Sequence, residues 1–468
     1  MKILFIYPNM NQVVHYHHGI ASLSAVLKKA GHEVSLGIIH NHFKSDIKNH
    51  IFSYPPDLIF FSIVSNYWEF SCDLARKIKK DVGVKIFAGG MHCSIFPESY
   101  DPRIAFDGIC LGEGEDAILD LVGRIERNED YHTTRNFWFK VNGEIITNPL
   151  RPLIQDLDHL PFPDRGIFPR TDPEVGRRFI FSRGCPFNCT YCSNEAYRRL
   201  YQGQKNIIRY RSVHKAISEI KRTAEEYRPR NLAFDDDSFN KNRKWFLDFC
   251  DRYREYDFPA FECNTRPELI NEETVVHLKE AGCEQINIGV ESGDETIRKE
   301  ILNRPMTDKQ IIEVFRLAKR HHLRTYSFNM IGIPGERWES HKKTVILNRI
   351  IKPDRLQISI YYPYPGTKLE QICREKNLLK KRTAYNYFYE ASLSLPGFSS
   401  RNILMSRLLF RFHVYRVISY RKAFYYLYRD LREYLEADQK GLKTLLDLFF
   451  GLFSPFKKQV HRKVGITA

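Results

Sequence analysis

Three cysteines, Cys185, Cys189 and Cys192, stand in the run FSRGCPFNCTYCSN, separated by three residues and then by two. Thiolates at this spacing on one loop suit a soft metal centre. A [4Fe–4S] cluster usually takes four cysteine ligands; this loop offers three, and no fourth cysteine is near. A cluster held in that way keeps one iron open for a small molecule that carries an amine and a carboxylate side by side. The methionyl end of S-adenosylmethionine (SAM) has that pair. A structural zinc site is the weaker reading, because such sites favour paired Cys-x-x-Cys hairpins and four closed ligands. Gly184 and Pro186 are placed to turn the backbone sharply around the metal. The remaining seven cysteines (Cys72, Cys93, Cys110, Cys250, Cys263, Cys283 and Cys373) are scattered singly and read as small core residues. Ten cysteines in 468 residues make no disulfide framework.

Two alternating runs of strand and helix must position this loop. Over residues 1–150, apolar runs such as KILFIY, LIFFSIV and VKIFAGG alternate with amphipathic helices. That is the pattern of a parallel sheet covered on both faces, a Rossmann-like doubly wound domain. Residues 151–176 (LPFPDRGIFPRTDP within them) read as a linker or wrapping segment. Residues 177–375 then supply six strand candidates, RRFIFS, NLAFDD, AFECNTR, QINIGVES, TYSFNMIGI and RLQISIYYP, with five helical segments between them. Thr307 with Gln310 makes a capping box before the fourth helix. Six βα units point to a partial (β/α)6 barrel, whose active site belongs at the carboxyl ends of the strands, where the cysteine loop falls. From residue 376 the strands stop, and 376–468 read as a mostly helical region.

The cysteine loop resembles the radical SAM superfamily, whose signature is Cys-x-x-x-Cys-x-aromatic-Cys, with Tyr191 in the aromatic position. The resemblance implies a bound [4Fe–4S] cluster and SAM, and contacts to SAM from Tyr191 and the strand ends. Asp236 and Asp237 stand where the family binds the methionine amino group, a charge-assisted contact. Glu291 and Ser292 match positions that contact ribose, and Arg304 is placed to clamp the methionine carboxylate. The triple Asp235-Asp236-Asp237 departs from the commoner glycine-glycine-glutamate pattern, which leaves open which aspartate makes the contact. It is similar to the acidic variant of the cobalamin-dependent branch.

In an open parallel sheet, ligands bind beyond the carboxyl ends of the strands. Those ends carry Ser62 to Ser65, Gly89-Gly90-Met91-His92 and Gly112-Glu113-Gly114-Glu115. The first loop is not Gly-x-Gly-x-x-Gly, which argues against a nicotinamide cofactor. Residues 1–150 look like the cobalamin-binding module that precedes many radical SAM domains. The resemblance implies cobalamin contacts from Ser62, Ser65, Gly89, Gly90, His92, Gly112, Glu113 and Gly114, with His92 toward the nucleotide tail. Histidine-on cobalamin proteins carry Asp-x-His-x-x-Gly in the first loop; here Val14 and Tyr16 hold the aspartate and histidine positions. Cobalamin is therefore expected without that ligand; His15, His17 and His18 crowd this loop as idle residues or, in the alternative, with one of them facing the cobalt.

Together the two modules resemble the class B methyltransferase-like branch. The resemblance implies an enzyme that makes a 5′-deoxyadenosyl radical and methylates an unactivated carbon of a small molecule, with an external one-electron reductant. A non-methylating cyclase or rearrangement enzyme is the second expectation, and an iron–sulfur and cobalamin sensor without turnover the third. A nucleic-acid modifier like the radical methylthiotransferases is disfavoured, because Cys72, Cys93 and Cys110 are too dispersed for a second cluster.

A formal net charge of +16 favours anionic partners, and an anionic or lipid-linked substrate is among them. No stretch reaches the roughly 18 apolar residues of a spanning helix, and MKILFIYP reads as a first buried strand, so a cytoplasmic protein is expected. In the last region, Arg407, Arg411, Arg416, Arg421, Lys422 and Arg429 interleave with eight aromatics from Phe410 to Tyr428. The expected arrangement is one long amphipathic helix, its aromatics packed on the barrel as a substrate cap and its arginines in water. Weak peripheral contact with an anionic membrane surface is a secondary expectation, helped by the LLDLFFGLF segment.

Overall fold

The computed structural model describes residues 1–10, 16–40, 51, 53–380 and 388–438. They form two compact units. The first holds Met1–Asn264, Val276–Glu284 and Tyr364–Gln371; the second holds Thr265–Val275, Gln285–Pro363 and the described chain from Ile372 on.

In the first unit, strands β1 (Lys2–Pro8), β2 (Glu33–Ile39), β3 (Leu58–Ser62), β4 (Lys85–Gly89) and β5 (Gly108–Cys110) are parallel, in the order 2-1-3-4-5. This is the flavodoxin-like doubly wound order, with its switch point between β1 and β3. The strands are apolar on both faces because both are covered. Ile3 and Phe5 enter the core beneath helices His18–Lys29 and Glu115–Glu126, while Leu4 and Ile6 enter the opposite core beneath helix Trp68–Asp81. The sheet continues into an antiparallel hairpin that the alternating pattern does not announce, β6 (Phe137–Val141) with β7 (Glu144–Thr147). Its turn is Asn142-Gly143, both left-handed with φ of 51° and 84°, the geometry a type I′ hairpin requires.

Residues 151–176 hold no strand, but Leu157, Leu160 and Phe168 are buried in the same core as β1. The segment wraps the first domain rather than hanging between two.

All six barrel strands form. In the first unit, β8 (Arg178–Phe179) is followed by a two-stranded antiparallel hairpin of β9 (Ser182–Arg183) and β10 (Arg209–Tyr210). After it, β11 (Leu232–Phe234) pairs in parallel with both β8 and β12 (Phe261–Thr265). In the second unit, β13 (Cys283–Glu291), β14 (Arg324–Ile331) and β15 (Arg355–Ile360) are likewise parallel. The five expected helices are present at Val213–Tyr227, Arg243–Arg254, Glu272–Glu280, Asp308–Arg320 and Trp338–Ile351. The fourth opens on the expected capping box, Thr307 receiving the Gln310 N–H and Gln310 the Thr307 N–H.

The C-terminal region differs from expectation in two ways. Instead of one long helix there are two, Ser400–Tyr415 and Tyr420–Asp438, the second begun by Ser419, whose hydroxyl accepts the Lys422 N–H. The arginines are not all in water. Arg407 and Arg411 are buried and both pair with the buried Asp430, at 2.9 Å each, whereas Tyr420 and Phe424 are 69 % and 58 % exposed. A carboxylate on the second helix makes burial of the guanidiniums tolerable, a partner that helical periodicity does not foresee. The first helix rests on the β15 side of the second unit, where the Tyr415 hydroxyl donates to the carbonyls of Pro353 and Asp354. The LLDLFFGLF segment lies outside the described residues.

Candidate active site

The cysteine loop leaves β9 through Gly184, whose φ is +85° and where any Cβ would collide with the Ile207 carbonyl. Only glycine fits such a turn. Lys241 Nζ ties the loop down, donating to the Gly184 carbonyl and to Ser182 Oγ, each at 2.8 Å. Cys185 and Cys192 are half-buried and Cys189 is buried; helix Ser193–Leu200 starts immediately after the third thiol. Burial raises the Cys185 thiol, and raises Cys192 to about 12, against the pull of backbone N–H groups of Phe187 and Asn194. Such thiols ionise when they ligate a metal. Among the described residues no three His, Cys, Asp or Glu side chains form a ready metal cage. The donor set is nevertheless three neighbouring soft thiols on one loop, which fits an iron–sulfur cluster.

The three aspartates after β11 take three different directions. Asp235 pairs with His18 Nε2 at 2.9 Å and with Arg178 Nη1 at 2.9 Å. Asp236 is buried and accepts the Phe181 N–H and the Ser182 hydroxyl, so it holds the start of the cysteine loop from below. Burial raises its carboxyl, with Lys241 opposing. Asp237 accepts from Asn194 Nδ2 at 2.7 Å and is the one aspartate of the three that lines a cavity shared with Cys185.

That cavity measures about 470 Å³. One wall is the strand-end set of the first domain, Ser62, Gly89, Gly90 and Gly112 to Glu115; the other carries Ser182 to Cys185, Asn194 and Asp237. The two modules of the sequence reading thus open onto one space within the first unit. Cys110, expected as a core residue, lines it too. Gly89 can pass close to a ligand, since a Cβ there would meet nothing nearer than Cys110 Cβ at 3.6 Å. Gly90 and Gly112 are required for other reasons. A Cβ on Gly90, at φ +99°, would lie 2.8 Å from the Ile63 backbone, and one on Gly112 would overlap Tyr201 Oη.

Ser65 and His92 do not line the cavity. His92 is 2 % exposed and its ring nitrogens each lie 3.0 Å from a hydroxyl, Ser65 Oγ and Ser99 Oγ. Burial lowers its pKa to about 4, so it is a neutral link inside the domain. Nor are His17 and His18 idle. His17 Nδ1 accepts the Ile20 N–H and caps helix His18–Lys29, while Nε2 lies 3.5 Å from Ser62 Oγ. Burial holds His17 neutral, near a pKa of 4. Tyr16 is buried against Phe168 and His18. His15 lies outside the described residues.

Sequence reasoning named Glu113 as a cobalamin contact and missed the two arginines that engage it and Glu115 between the two walls. Arg183 donates to Glu113 Oε1 at 2.9 Å and to Glu115 Oε1 at 2.5 Å; Arg209, its partner across the hairpin, donates to Glu113 Oε2 at 2.9 Å. Only the alternation of charge in Gly-Glu-Gly-Glu, opposite a barrel-side arginine, hints at it.

In the second unit, Glu291 has φ +65° at a bulge in β13 between Gly289 and Glu291. A non-glycine residue held there is strained, and such strain clusters at functional sites. Arg304 donates to the Gly289 carbonyl at 2.8 Å and faces Glu291 Oε1 at 3.7 Å, so these two expected SAM contacts meet each other. Ser292 is fully buried, its hydroxyl accepting the Asp294 N–H and its carbonyl accepting from Arg298. Tyr191 is half-buried between Cys189 and Cys192.

A flavodoxin-like sheet and a parallel-stranded barrel half face one cavity beside a three-thiol loop. Residues 12–122 match the family described as B12 binding domain, and residues 179–347 match the radical SAM superfamily. The chain thus carries a B12-binding domain followed by a radical SAM domain. It is 28 % identical to the uncharacterized methyltransferase PH0819 of Pyrococcus horikoshii, over 84 % of this chain and 85 % of that protein. It is 25 % identical to the anaerobic magnesium-protoporphyrin IX monomethyl ester cyclase of Rubrivivax gelatinosus, over 87 % of this chain and 76 % of that one. Among solved structures, the radical SAM methyltransferase TsrM of Kitasatospora setae, with cobalamin and [4Fe–4S] cluster bound, shares the fold. That match has a TM-score of 0.66 and 15 % identity, covering 82 % of this chain and 76 % of that one.

Proposed function

We propose that this enzyme transfers a methyl group to an unactivated carbon of a small molecule. The observation that carries the proposal is the single cavity bounded by the strand-end glycines and by Cys185 with Asp237, together with the similarity to a named methyltransferase over most of both chains. Cys185, Cys189 and Cys192 would hold the cluster, beside which the methionyl end of SAM would bind. Asp237 takes the ammonium of that end, a charge-assisted hydrogen bond. Glu291, Arg304 and Tyr191 are the further SAM contacts, whereas the fully buried Ser292 supports them from within. Ser62, Gly89, Gly90 and the Gly112–Gly114 loop would border the cobalamin, beside His17, which caps its helix through Nδ1 and lines the same cavity.

Bound together, the cluster, SAM and cobalamin would supply a 5′-deoxyadenosyl radical and a transferable methyl group. The chain's own part is to hold the cofactors in register, to keep water out and to admit the substrate. An external one-electron reductant is the required partner. No helix among the described residues is long and apolar enough to cross a membrane. We place the enzyme in the cytoplasm, with weak attraction to anionic surfaces from the +16 net charge.

A second reading, a cyclase that uses the same cofactors without methylating, draws on the similarity to the Rubrivivax cyclase. The test is product stoichiometry under anaerobic turnover. Methylation requires S-adenosylhomocysteine and 5′-deoxyadenosine both to accumulate in proportion to product. Deoxyadenosine alone selects the cyclase reading.

A further inference from the structure

Arg183 stands two residues before Cys185 and reaches back into the first domain. Its guanidinium spans two carboxylates of one loop, Glu113 at 2.9 Å and Glu115 at 2.5 Å. Arg209, at the paired position of the hairpin, bonds Glu113 at 2.9 Å and the Ile154 carbonyl at 2.7 Å. The glutamates are themselves fixed, Glu115 by the Ser22 hydroxyl at 2.7 Å and Glu113 by the Ile154 N–H at 2.8 Å. Their side chains are 7 % and 6 % exposed and that of Arg209 is 4 %, while Arg183, which spans them, is 28 % exposed. Two arginines face two glutamates, so the charge is balanced.

An exposed pair would contribute almost nothing, and a buried quartet is no stronger than apolar packing of the same volume. What the quartet gives, and apolar packing does not, is direction. A planar guanidinium forked across two carboxylates allows neither sliding nor rotation. The fork ties the loop that carries Cys185 to the Gly112–Gly114 loop of the B12-binding domain, across the cavity that both line.

We propose that Arg183, through Glu113 and Glu115, is a positioning residue that fixes the separation of the cluster from the cobalamin. The inference rests on the proposed function, in which both cofactors border this cavity. Transfer between two cofactors needs a near-contact geometry, and a shift of about 1 Å is costly there.

The experiment uses the anaerobically reconstituted full chain loaded with cobalamin and reduced to the paramagnetic cluster and cob(II)alamin. Pulsed electron paramagnetic resonance then reads the distribution of their separation. Wild type should give one narrow distance. Arg183→Met should keep its iron content and cobalamin affinity but lose that narrow distribution, and Arg183→Lys, charged but unforked, should fall between. A distribution as narrow in Arg183→Met as in wild type overturns the inference. So does loss of the cluster in Arg183→Met with Arg183→Lys identical to wild type in every readout, which would make Arg183 a folding residue. Wild-type protein that binds no cobalamin sinks the proposed function itself, and the inference with it.

Discussion

His18 Nε2 lies 2.9 Å from Asp235 Oδ2, joining the loop after β1 to the end of β11. The contact explains two oddities of the sequence together. The first loop is rich in histidine because His17 caps a helix and His18 reaches across to the barrel. The barrel strand ends in three aspartates because each has a separate partner: His18 for Asp235, the Phe181 N–H for Asp236, and Asn194 for Asp237.

That division of labour predicts different outcomes for neighbouring substitutions. Asp237→Ala should leave cluster content and thermal stability near wild type and weaken SAM binding by about 10- to 100-fold, the weight of a charge-assisted hydrogen bond. Asp236→Ala should instead cost about 1–3 kcal/mol of stability, because the buried Phe181 N–H loses its partner. Isothermal titration with SAM beside thermal melts separates the two. Equal SAM affinity in Asp237→Ala and wild type would remove Asp237 from the site.

The glycines at the end of β4 part in the same way. Gly90→Ala should lower the melting temperature whether or not cobalamin is present, since its Cβ meets the Ile63 backbone at 2.8 Å. Gly89→Val should melt close to wild type yet bind cobalamin more weakly, because its Cβ would make only ordinary contact with Cys110, 3.6 Å away, on the cavity that both residues line. Quenching of intrinsic fluorescence by added cobalamin gives the affinities.

Glu115 makes an acid-side prediction. Burial raises its carboxyl, but Arg183 and the Ser22 hydroxyl outweigh that and hold it at about 2. A carboxylate depressed on folding contributes stability that is present above its ordinary value near 4.5 and is lost as pH falls toward 2. Urea midpoints of wild type should therefore fall more steeply between pH 5 and 3 than those of Glu115→Gln, by a difference on the order of a few kcal/mol at most. Parallel curves would contradict the paired geometry.

Glu336 predicts the opposite slope. It is buried, and its Oε2 accepts the N–H groups of Gly332 and Ile333. Burial raises its carboxyl to about 8 despite those bonds. A group raised on folding contributes stability that is full below its ordinary value near 4.5 and is lost as pH climbs through 8. Wild type should lose stability between pH 5 and 8 relative to Glu336→Gln, which carries no titrating group there.

The sequence made the order of elements plain where one strong local signal sufficed. Apolar runs on both faces announced β1, β3 and β4, and Thr307 with Gln310 announced a helix start. The β6–β7 hairpin was legible only through Asn142-Gly143, a two-residue signal inside a stretch that otherwise resembles linker. Of the candidate site, Cys185 and Asp237 line one cavity, and Cys189 and Cys192 lie farther along the loop that Cys185 begins. Local pattern could not tell His92, tied to Ser65 and Ser99, from a residue open to ligand, because its partners lie 27 and 7 residues away. Nor could it foresee that Arg407 and Arg411 would share Asp430, since periodicity records faces and not partners on a second helix.

The central claim, methyl transfer from SAM to a carbon of a small molecule, is tested most directly by isotope tracing. Cells with and without the gene are fed methionine carrying a fully deuterated methyl group, and their extracts are compared by mass spectrometry. A gene-dependent product should appear that carries the intact deuterated methyl on carbon. A gene-dependent product with no label, formed with 5′-deoxyadenosine but without S-adenosylhomocysteine in the reconstituted reaction, would contradict it.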